Sequence, residues 1–179
     1  MEAILEAPAA AKRQTSHDAV RNAERTTAAA SPRGFLTLQL GQETYCIDIL
    51  NVQEIRGYSV PTRIADAPPA IKGVVNLRGT IVPVVELRHV FGIAEPCYDA
   101  VTATIVVAVG NRHAGLIVDA VADVVDLLPE QVSPPPLIDG AGANGFITGL
   151  ATVKTDDRSQ LYIVLDVARL LASPIIGLG

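Results

Sequence analysis

The sequence is poor in aromatic side chains and in charge. Its 179 residues include no Trp, three Phe and four Tyr, and only 18% of them are charged. Single-stranded nucleic acid is bound by stacking on aromatic rings, and duplexes and anionic membrane surfaces attract clustered Lys and Arg. This chain has few rings and a net charge of −5. We therefore expect no nucleic acid partner.

Cysteines and long apolar runs are also scarce. The two cysteines, Cys46 and Cys97, form no paired framework, which is typical of a reducing compartment. No stretch approaches the roughly 20 apolar residues of a membrane span, and residues 1–13 lack the apolar core of a signal peptide. We expect a cytoplasmic protein with no direct membrane insertion.

Aliphatic residues are abundant, and most of them are β-branched. There are 21 Val and 15 Ile against 17 Leu, in a chain that is 49% apolar. Side chains branched at Cβ are stiff at χ1 and pack better on a pleated sheet than on a helix. The composition therefore predicts a β-rich fold with a substantial core.

The chain divides into three parts by composition. Residues 1–33 are rich in Ala, Thr and Ser and contain few large aliphatic residues, which predicts a flexible tail. Residues 34–172 carry short apolar runs separated by turn residues, which predicts one folded domain. Residues 173–179 form a short C-terminal extension.

Short strands joined by tight turns are predicted throughout the domain. Turn residues at 41–43, 78–79 and 110–111 indicate three hairpins. Pro83 cannot donate to a ladder, so its strand is predicted to lie at an edge or to bulge there. Asp166 is predicted to cap a short helix at 167–171. The strands are expected at residues 35–40, 44–47, 72–77, 80–87, 101–109, 112–118, 121–128, 146–153 and 161–165, and residues 49–56 are expected to form a short turn and a strand. This pattern predicts an all-β barrel or sandwich with one or two short helices.

Motifs for catalysis, cofactors and metals are weak or missing. Residues 140–145 match the GxGxxG pattern, but they follow a Pro-rich stretch and precede a strand, so a flexible loop is the better interpretation. The carboxylates of Asp119, Asp123 and Asp126 are read as exposed side chains of a sheet, and the three His lie far apart. We therefore predict no enzyme activity, no cofactor and no metal, although a paired-carboxylate hydrolase stays open.

The turn at residues 76–80, Asn-Leu-Arg-Gly-Thr, is the most informative local feature. It places the charged Arg78 between two apolar strands, beside a glycine that is free to adopt positive φ. Arg78 is either a surface residue that is solvated or paired with an acid, or a guanidinium presented to a partner.

Four blocks of sequence resemble, in order, the CheW family of bacterial chemotaxis adaptors. They are YCIDILNVQEIRG at 45–57, IKGVVNLRGTIVPVVELR at 71–88, GLIVDAVADVV at 115–125 and LYIVLDVARLL at 161–171. The resemblance implies two intertwined, SH3-like, five-stranded β-barrel subdomains with short helices, one of them at the C-terminus. Cys46, the long tail and the loop at residues 134–144 depart from the family pattern.

The same resemblance implies a non-enzymatic adaptor. Such proteins couple the histidine kinase CheA, through its regulatory domain, to the cytoplasmic tips of methyl-accepting chemoreceptors in membrane-associated arrays. Two alternatives stay open. One is a CheW-like adaptor of another array that controls pili, surface motility or development, and the other is a small-ligand-binding β-barrel with an anion site near Arg78.

Functional positions carry over by their place in the matching blocks. Val52, Glu54 and Arg78 correspond to the family's receptor-binding groove, and Val121 and Val124 to further receptor or array contacts. One more position, Gly73, corresponds to a glycine tied to kinase binding. For Gly73 and the last two valines, simple packing of the barrels is an equally open interpretation.

Overall fold

The computed structural model describes residues 31–136, 145–155 and 158–178. Within these ranges the chain forms eleven strands and two short α-helices, which confirms the all-β prediction with its C-terminal helix. The strands are β1 (Arg33–Leu40), β2 (Glu43–Asp48), β3 (Val52–Gly57), β4 (Ile71–Leu77), β5 (Thr80–Glu86), β6 (Ala103–Val109), β7 (Arg112–Val118), β8 (Ala120–Leu127), β9 (Val132–Ser133), β10 (Ile147–Thr155) and β11 (Arg158–Leu165). The helices are α1 (Leu87–Val90) and α2 (Val167–Ala172).

The strands form two sheets between which the chain passes twice. One sheet has the order β8-β1-β2-β11-β10-β9, and the other has the order β3-β6-β7-β5-β4. The chain starts in the first sheet, builds the whole second sheet and then returns, so the two subdomains are intertwined as the resemblance implied. The first sheet has six strands instead of five, because the two-residue β9 adds to β10 before Pro134 ends its pairing.

All three predicted hairpins are present. The closing pairs are Leu40 with Glu43, Leu77 with Thr80, and Val109 with Arg112. Pro83 pairs with Val74 in β4, and the parallel pairing of β5 with β7 begins only one residue later. The strand β5 lies between β7 and β4, so the prediction of an edge strand or of a bulge at Pro83 is wrong. Pro83 is tolerated there because β4 alone pairs with it.

The largest core lies between the two sheets. It contains Leu38, Leu40 and Ile47 from the first sheet, and Ile105 and Leu116 from the second, all without solvent exposure. A smaller cluster fills the first barrel, made by Phe35, Cys46, Leu127, Ala151 and Val164. Burying a side chain of this size contributes about 1.5–3 kcal/mol, so separation of the two sheets is strongly disfavoured.

An ion pair joins the two sheets beside this core. Arg88, in α1, donates from Nε to Asp119 Oδ1 at 2.6 Å and from Nη2 to Oδ2 at 2.5 Å. Asp119 also accepts from the Gly41 amide in the turn between β1 and β2, at 2.8 Å. The expectation of three exposed carboxylates is therefore wrong for Asp119, because the return of the chain to the first sheet brings it against Arg88. It holds for Asp123 and Asp126.

The helices are short. Asp166 caps α2 as predicted, and its Oδ1 accepts from the Arg169 amide at 3.0 Å. Helix α1 is a single turn that the sequence did not indicate, because it has no capping side chain. No helix in the described residues is long and apolar enough to cross a membrane. Most of the GxGxxG match lies outside the described residues.

We predict that the two cysteines differ sharply in reactivity. Burial raises the pKa of the Cys46 thiol to about 12, whereas Cys97 is exposed. Because the thiolate is the reactive form, a maleimide at neutral pH should label Cys97 alone in the folded protein. Mass spectrometry before and after unfolding in guanidinium measures this. Labelling of Cys46 in the native protein at the rate of Cys97 would contradict the fold.

We also predict that Asp119→Asn destabilises the protein in a pH-dependent way. Burial raises the pKa of Asp119, but the hydrogen bonds from Arg88 and Gly41 outweigh it and lower the pKa below the ordinary value. A carboxylate with a lowered pKa stabilises the fold at neutral pH and loses that effect as the pH falls through its folded pKa.

The expected loss is about 1–2 kcal/mol at pH 7, and it should shrink as the pH drops below about 4. Thermal melts of Asp119→Asn between pH 3 and 8 measure this. Asp126→Asn, on an exposed residue of β8, is the matched control and should change the melting temperature little. A penalty for Asp119→Asn that does not vary with pH would contradict the electrostatic explanation.

Candidate protein-binding surfaces

The turn between β4 and β5 presents Arg78 to solvent. Arg78 has φ of 51° and Gly79 has φ of 91°, as a two-residue hairpin turn requires. Asn76 Oδ1 accepts from the Gly79 amide at 2.8 Å and stiffens the turn. The side chain of Arg78 is 88% exposed, yet its Nη2 lies 3.3 Å from Glu54 Oε2. The structure thus brings two of the predicted receptor contacts together as an ion pair.

A polar groove surrounds this ion pair. It is lined by Gln53, Glu54, Leu77, Arg78, Thr80, Val82, Val106 and His113. Glu54 also lies 3.4 Å from Arg56 Nε, so its carboxylate has two cationic neighbours. Across the groove, His113 Nδ1 lies 3.2 Å from Gln53 Oε1. The groove therefore offers a rim of charged and hydrogen-bonding groups over an aliphatic floor.

A second, apolar surface follows the first crossing between the sheets. A short 3-10 turn, Ile49–Asn51, connects β2 to β3, and Leu50 within it is 86% exposed. A Cβ added to Gly34 would lie 3.1 Å from Ile49 Cγ2 and 3.7 Å from Val124 Cγ1. Because Gly34 has no side chain, the side chains of Ile49 and Val124 can both lie close to its backbone. Val124 is 49% exposed and extends the apolar surface.

The remaining two receptor candidates are partly buried. Val52 and Val121 both pack against the core between the sheets. Val52 lies on β3, one residue past the 3-10 turn, and Val121 lies on β8, three residues before Val124. The five receptor candidates thus occur on both sheets, and the two valines that pack inward contribute to stability as well.

Gly73 lies apart from these residues, where the β3–β4 loop touches β4. Its φ is 152°, and an added Cβ would clash with the Thr62 carbonyl oxygen and lie 2.8 Å from the carbonyl carbon. Thr62 and Val74 exchange two backbone hydrogen bonds, of 2.9 and 2.8 Å. The loop beside this contact exposes Val60 and Ile64. Gly73 is therefore needed for the approach of a loop with exposed aliphatic side chains.

Two stacked tyrosines support the start of that loop. The rings of Tyr58 and Tyr98 stack with centroids 4.1 Å apart, and the Tyr98 hydroxyl donates to Glu86 Oε2 at 2.6 Å. Burial, followed by this hydrogen bond, raises the pKa of Tyr98. Glu86 is 4% exposed, so the loop is anchored to a buried acid at the end of β5.

Sequence reasoning missed several residues of these surfaces. Leu50 lies in the family-like block at residues 45–57 but was not predicted as a contact residue. Asp48 could have indicated the turn that exposes it, since Asp48 Oδ1 accepts from the Leu50 amide at 2.9 Å. Gly34 and Thr62 gave no signal, because their importance depends on neighbours distant in sequence.

The surfaces carry features that are typical of protein-binding patches. In the part of the chain that the structure describes, no three His, Cys, Asp or Glu side chains are grouped so as to hold a metal ion. What the geometry offers is an exposed Arg beside a polar groove and two apolar patches. Such features fit a scaffold that contacts other proteins.

Comparisons with known proteins agree with this description. The CheW-like domain profile matches residues 34–174. Chemotaxis protein CheW of Klebsiella aerogenes is 44% identical over 144 residues, 80% of this chain and 84% of that protein. The CheW of Treponema pallidum is 34% identical over 143 residues, 77% and 81% of the two chains. The crystal structure of scaffolding protein TtCheW from Thermoanaerobacter tengcongensis superposes with a TM-score of 0.67 at 34% identity, covering 75% of this chain and 89% of that one.

Two intertwined β-barrels with exposed candidate binding surfaces are typical of a scaffolding adaptor of two SH3-like subdomains. The extent of the sequence match makes the assignment specific: the chain belongs to the CheW-like domain family. Members of this family are non-catalytic, and the function of the chain is that of a chemotaxis adaptor.

We predict that Gly73→Ala destabilises the fold by about 1–3 kcal/mol. The added Cβ must displace Thr62 or strain the backbone at a φ that favours glycine. A thermal or urea melt measures the loss. Gly57→Ala in β3 is the matched control, since a Cβ there meets nothing within 4 Å. A melting temperature equal to that of the control would show that the loop accommodates the methyl group.

Proposed function

We propose that this protein couples the histidine kinase CheA to methyl-accepting chemoreceptors without catalysing a reaction itself. It would act in the cytoplasm and join the membrane-associated array through its partners. The observation that carries the proposal is the extent of the family match, which spans both sheets and all six predicted contact residues. These are Val52, Glu54, Gly73, Arg78, Val121 and Val124.

The receptor surface proposed here combines a polar and an apolar part. The polar part is the exposed Arg78 with Glu54, and the apolar part is Leu50 with Val124. The cytoplasmic tip of a chemoreceptor is a helical hairpin, as the resemblance implies. A helix face can place apolar side chains on the aliphatic patch, while a neutral polar side chain at its edge accepts hydrogen bonds from the guanidinium N–H groups that Glu54 leaves free.

The kinase surface proposed here lies at the β3–β4 loop, which can approach β4 closely because Gly73 has no side chain. The loop held to Val74 exposes Val60 and Ile64, and exposed aliphatic residues of this kind can pack against a homologous barrel of the kinase. The proposed kinase surface on the β3–β4 loop and the proposed receptor surface share no residue. One protein could therefore bind both partners at once, as coupling requires.

A small-ligand-binding barrel is less well supported. That alternative needs Arg78 as an anion site, but the guanidinium already faces the Glu54 carboxylate at 3.3 Å. A bound anion would have to displace or neutralise this acid. The contact favours an exposed protein partner over a small anion.

We predict that Arg78→Ala preserves the fold and weakens receptor binding. Because the side chain is almost fully exposed, the melting temperature should change by less than about 2 °C. Binding to a receptor cytoplasmic fragment should weaken by about tenfold, as expected when an arginine at an interface is removed. Binding to the kinase regulatory domain should be unchanged. Isothermal calorimetry with each partner measures both.

Arg158→Ala is the matched control, since Arg158 is an exposed arginine on β11 of the other sheet. Equal receptor affinity for the two variants would remove Arg78 from the interface.

Affinity capture from the source cells then identifies the array, because a kinase of a pilus or developmental system would replace the chemotaxis kinase among the recovered proteins.

A further inference from the structure

We infer that Thr37 is a positioning residue for the receptor surface: its buried hydroxyl holds a β-bulge that turns Val121 and Val124 to the same side of β8. The inference deepens the proposed function and rests on it. Thr37 itself lies in β1 and is only 2% exposed, so it is too buried to form a receptor contact of its own.

The pairing of β1 with β8 contains one extra residue on β8. Leu38 pairs with Val121, but Leu36 pairs with Val124, so Ala122 and Asp123 stand opposite the single residue Thr37. In a regular strand, residues three apart point to opposite faces. The bulge removes this alternation, and Val121 and Val124 both lie on the face of Leu38 and Leu36.

The Thr37 hydroxyl satisfies both backbone groups of the bulged residue. It donates to the Asp123 carbonyl at 2.8 Å, and it accepts from the Asp123 amide at 2.9 Å. The Asp123 carboxylate in turn accepts from the Val124 amide at 2.7 Å. An apolar side chain at position 37 would leave the Asp123 amide and carbonyl without this partner, which is costly at a part-buried site.

The space around Thr37 does not itself call for a hydroxyl. Thr37 pairs with Cys46 in β2, which is fully buried in the cluster inside the first barrel. Val has nearly the same shape as Thr and could fill the same volume. The difference between the two residues at this position is therefore the pair of hydrogen bonds to Asp123.

Loss of the bulge would alter the receptor surface. If β8 paired with β1 in continuous register, a one-residue shift would move either Val121 or Val124 to the opposite face. Val124 would then leave its place beside Ile49 at Gly34, or Val121 would leave the core between the sheets. The first change removes Val124 from the apolar patch, and the second removes the support that Val121 gives β8 by packing against the core, while the β3–β4 loop of the second sheet is untouched.

The test compares Thr37→Val with Thr37→Ser, which keeps the hydroxyl. Thr44→Val is the matched control, since Thr44 is a buried threonine of β2 whose hydroxyl accepts from Gln160. Each variant is melted, its β8 amides are followed by hydrogen exchange, and its affinities for the receptor fragment and the kinase domain are measured.

For Thr37→Val we expect a folded protein with faster exchange at the Asp123 and Val124 amides. Its receptor affinity should fall about tenfold, while its kinase affinity should stay within about twofold. Thr37→Ser and Thr44→Val should retain receptor affinity. Deleting Ala122 in the Thr37→Val background should restore it, because Val121 and Val124 are then two residues apart and share a face without a bulge.

Equal receptor affinity for Thr37→Val and the wild type, or a loss in Thr37→Ser as large as in Thr37→Val, would overturn the inference. If Thr37→Val does not fold, the variant lacking Ala122 in an otherwise wild-type chain decides: retained receptor affinity supports the inference, and a selective loss overturns it. Failure of the wild type to bind the receptor would instead overturn the proposed function, and the exchange data would still report whether the hydroxyl holds the bulge.

Discussion

The apolar faces of the two sheets cover each other, and the rest of the structure depends on that shared core. Among the described residues neither face has another element large enough to bury it, so we expect the subdomains to fold as a unit. The chain crosses between the sheets twice, at Ile49–Asn51 and at Asp119. At the first crossing Leu50 is exposed, and at the second Asp119 pairs with Arg88. One crossing therefore carries part of a candidate interface, and the other carries the ion pair that joins the two sheets.

The candidate binding surfaces of this scaffold are small. The polar groove at Arg78, the apolar patch at Val124 and the β3–β4 loop at Thr62 each expose only a few side chains. Contacts of this size are individually weak, at the low end of specific interfaces. In an array, however, each adaptor would be held by several partners at once, and the effective concentration makes the assembly stable. Small patches also leave each contact free to respond to changes in its partner.

The sequence predicted those features that depend on local chemistry. Turn dipeptides located the hairpins, and Asp166 located the cap of α2, because each needs only neighbouring residues. Features that depend on distant residues were not predictable: the ion pair of Asp119, the sixth strand β9, and the loop that requires Gly73. The same holds for the candidate surface. Arg78 stood out as a charge on a turn, whereas its Glu54 partner could be named only through the resemblance.

The backbone of Arg78 argues that its side chain matters for more than the turn. A residue other than glycine at φ of 51° carries a conformational penalty of about 1 kcal/mol, which Gly or Asn would largely avoid. An exposed ion pair with Glu54 returns at most a similar amount. The turn therefore gains no net stability from arginine. What arginine adds is a guanidinium with free donors, held by a stiff hairpin where a partner can reach it. Strain at an exposed, charged turn is thus better explained by binding than by folding.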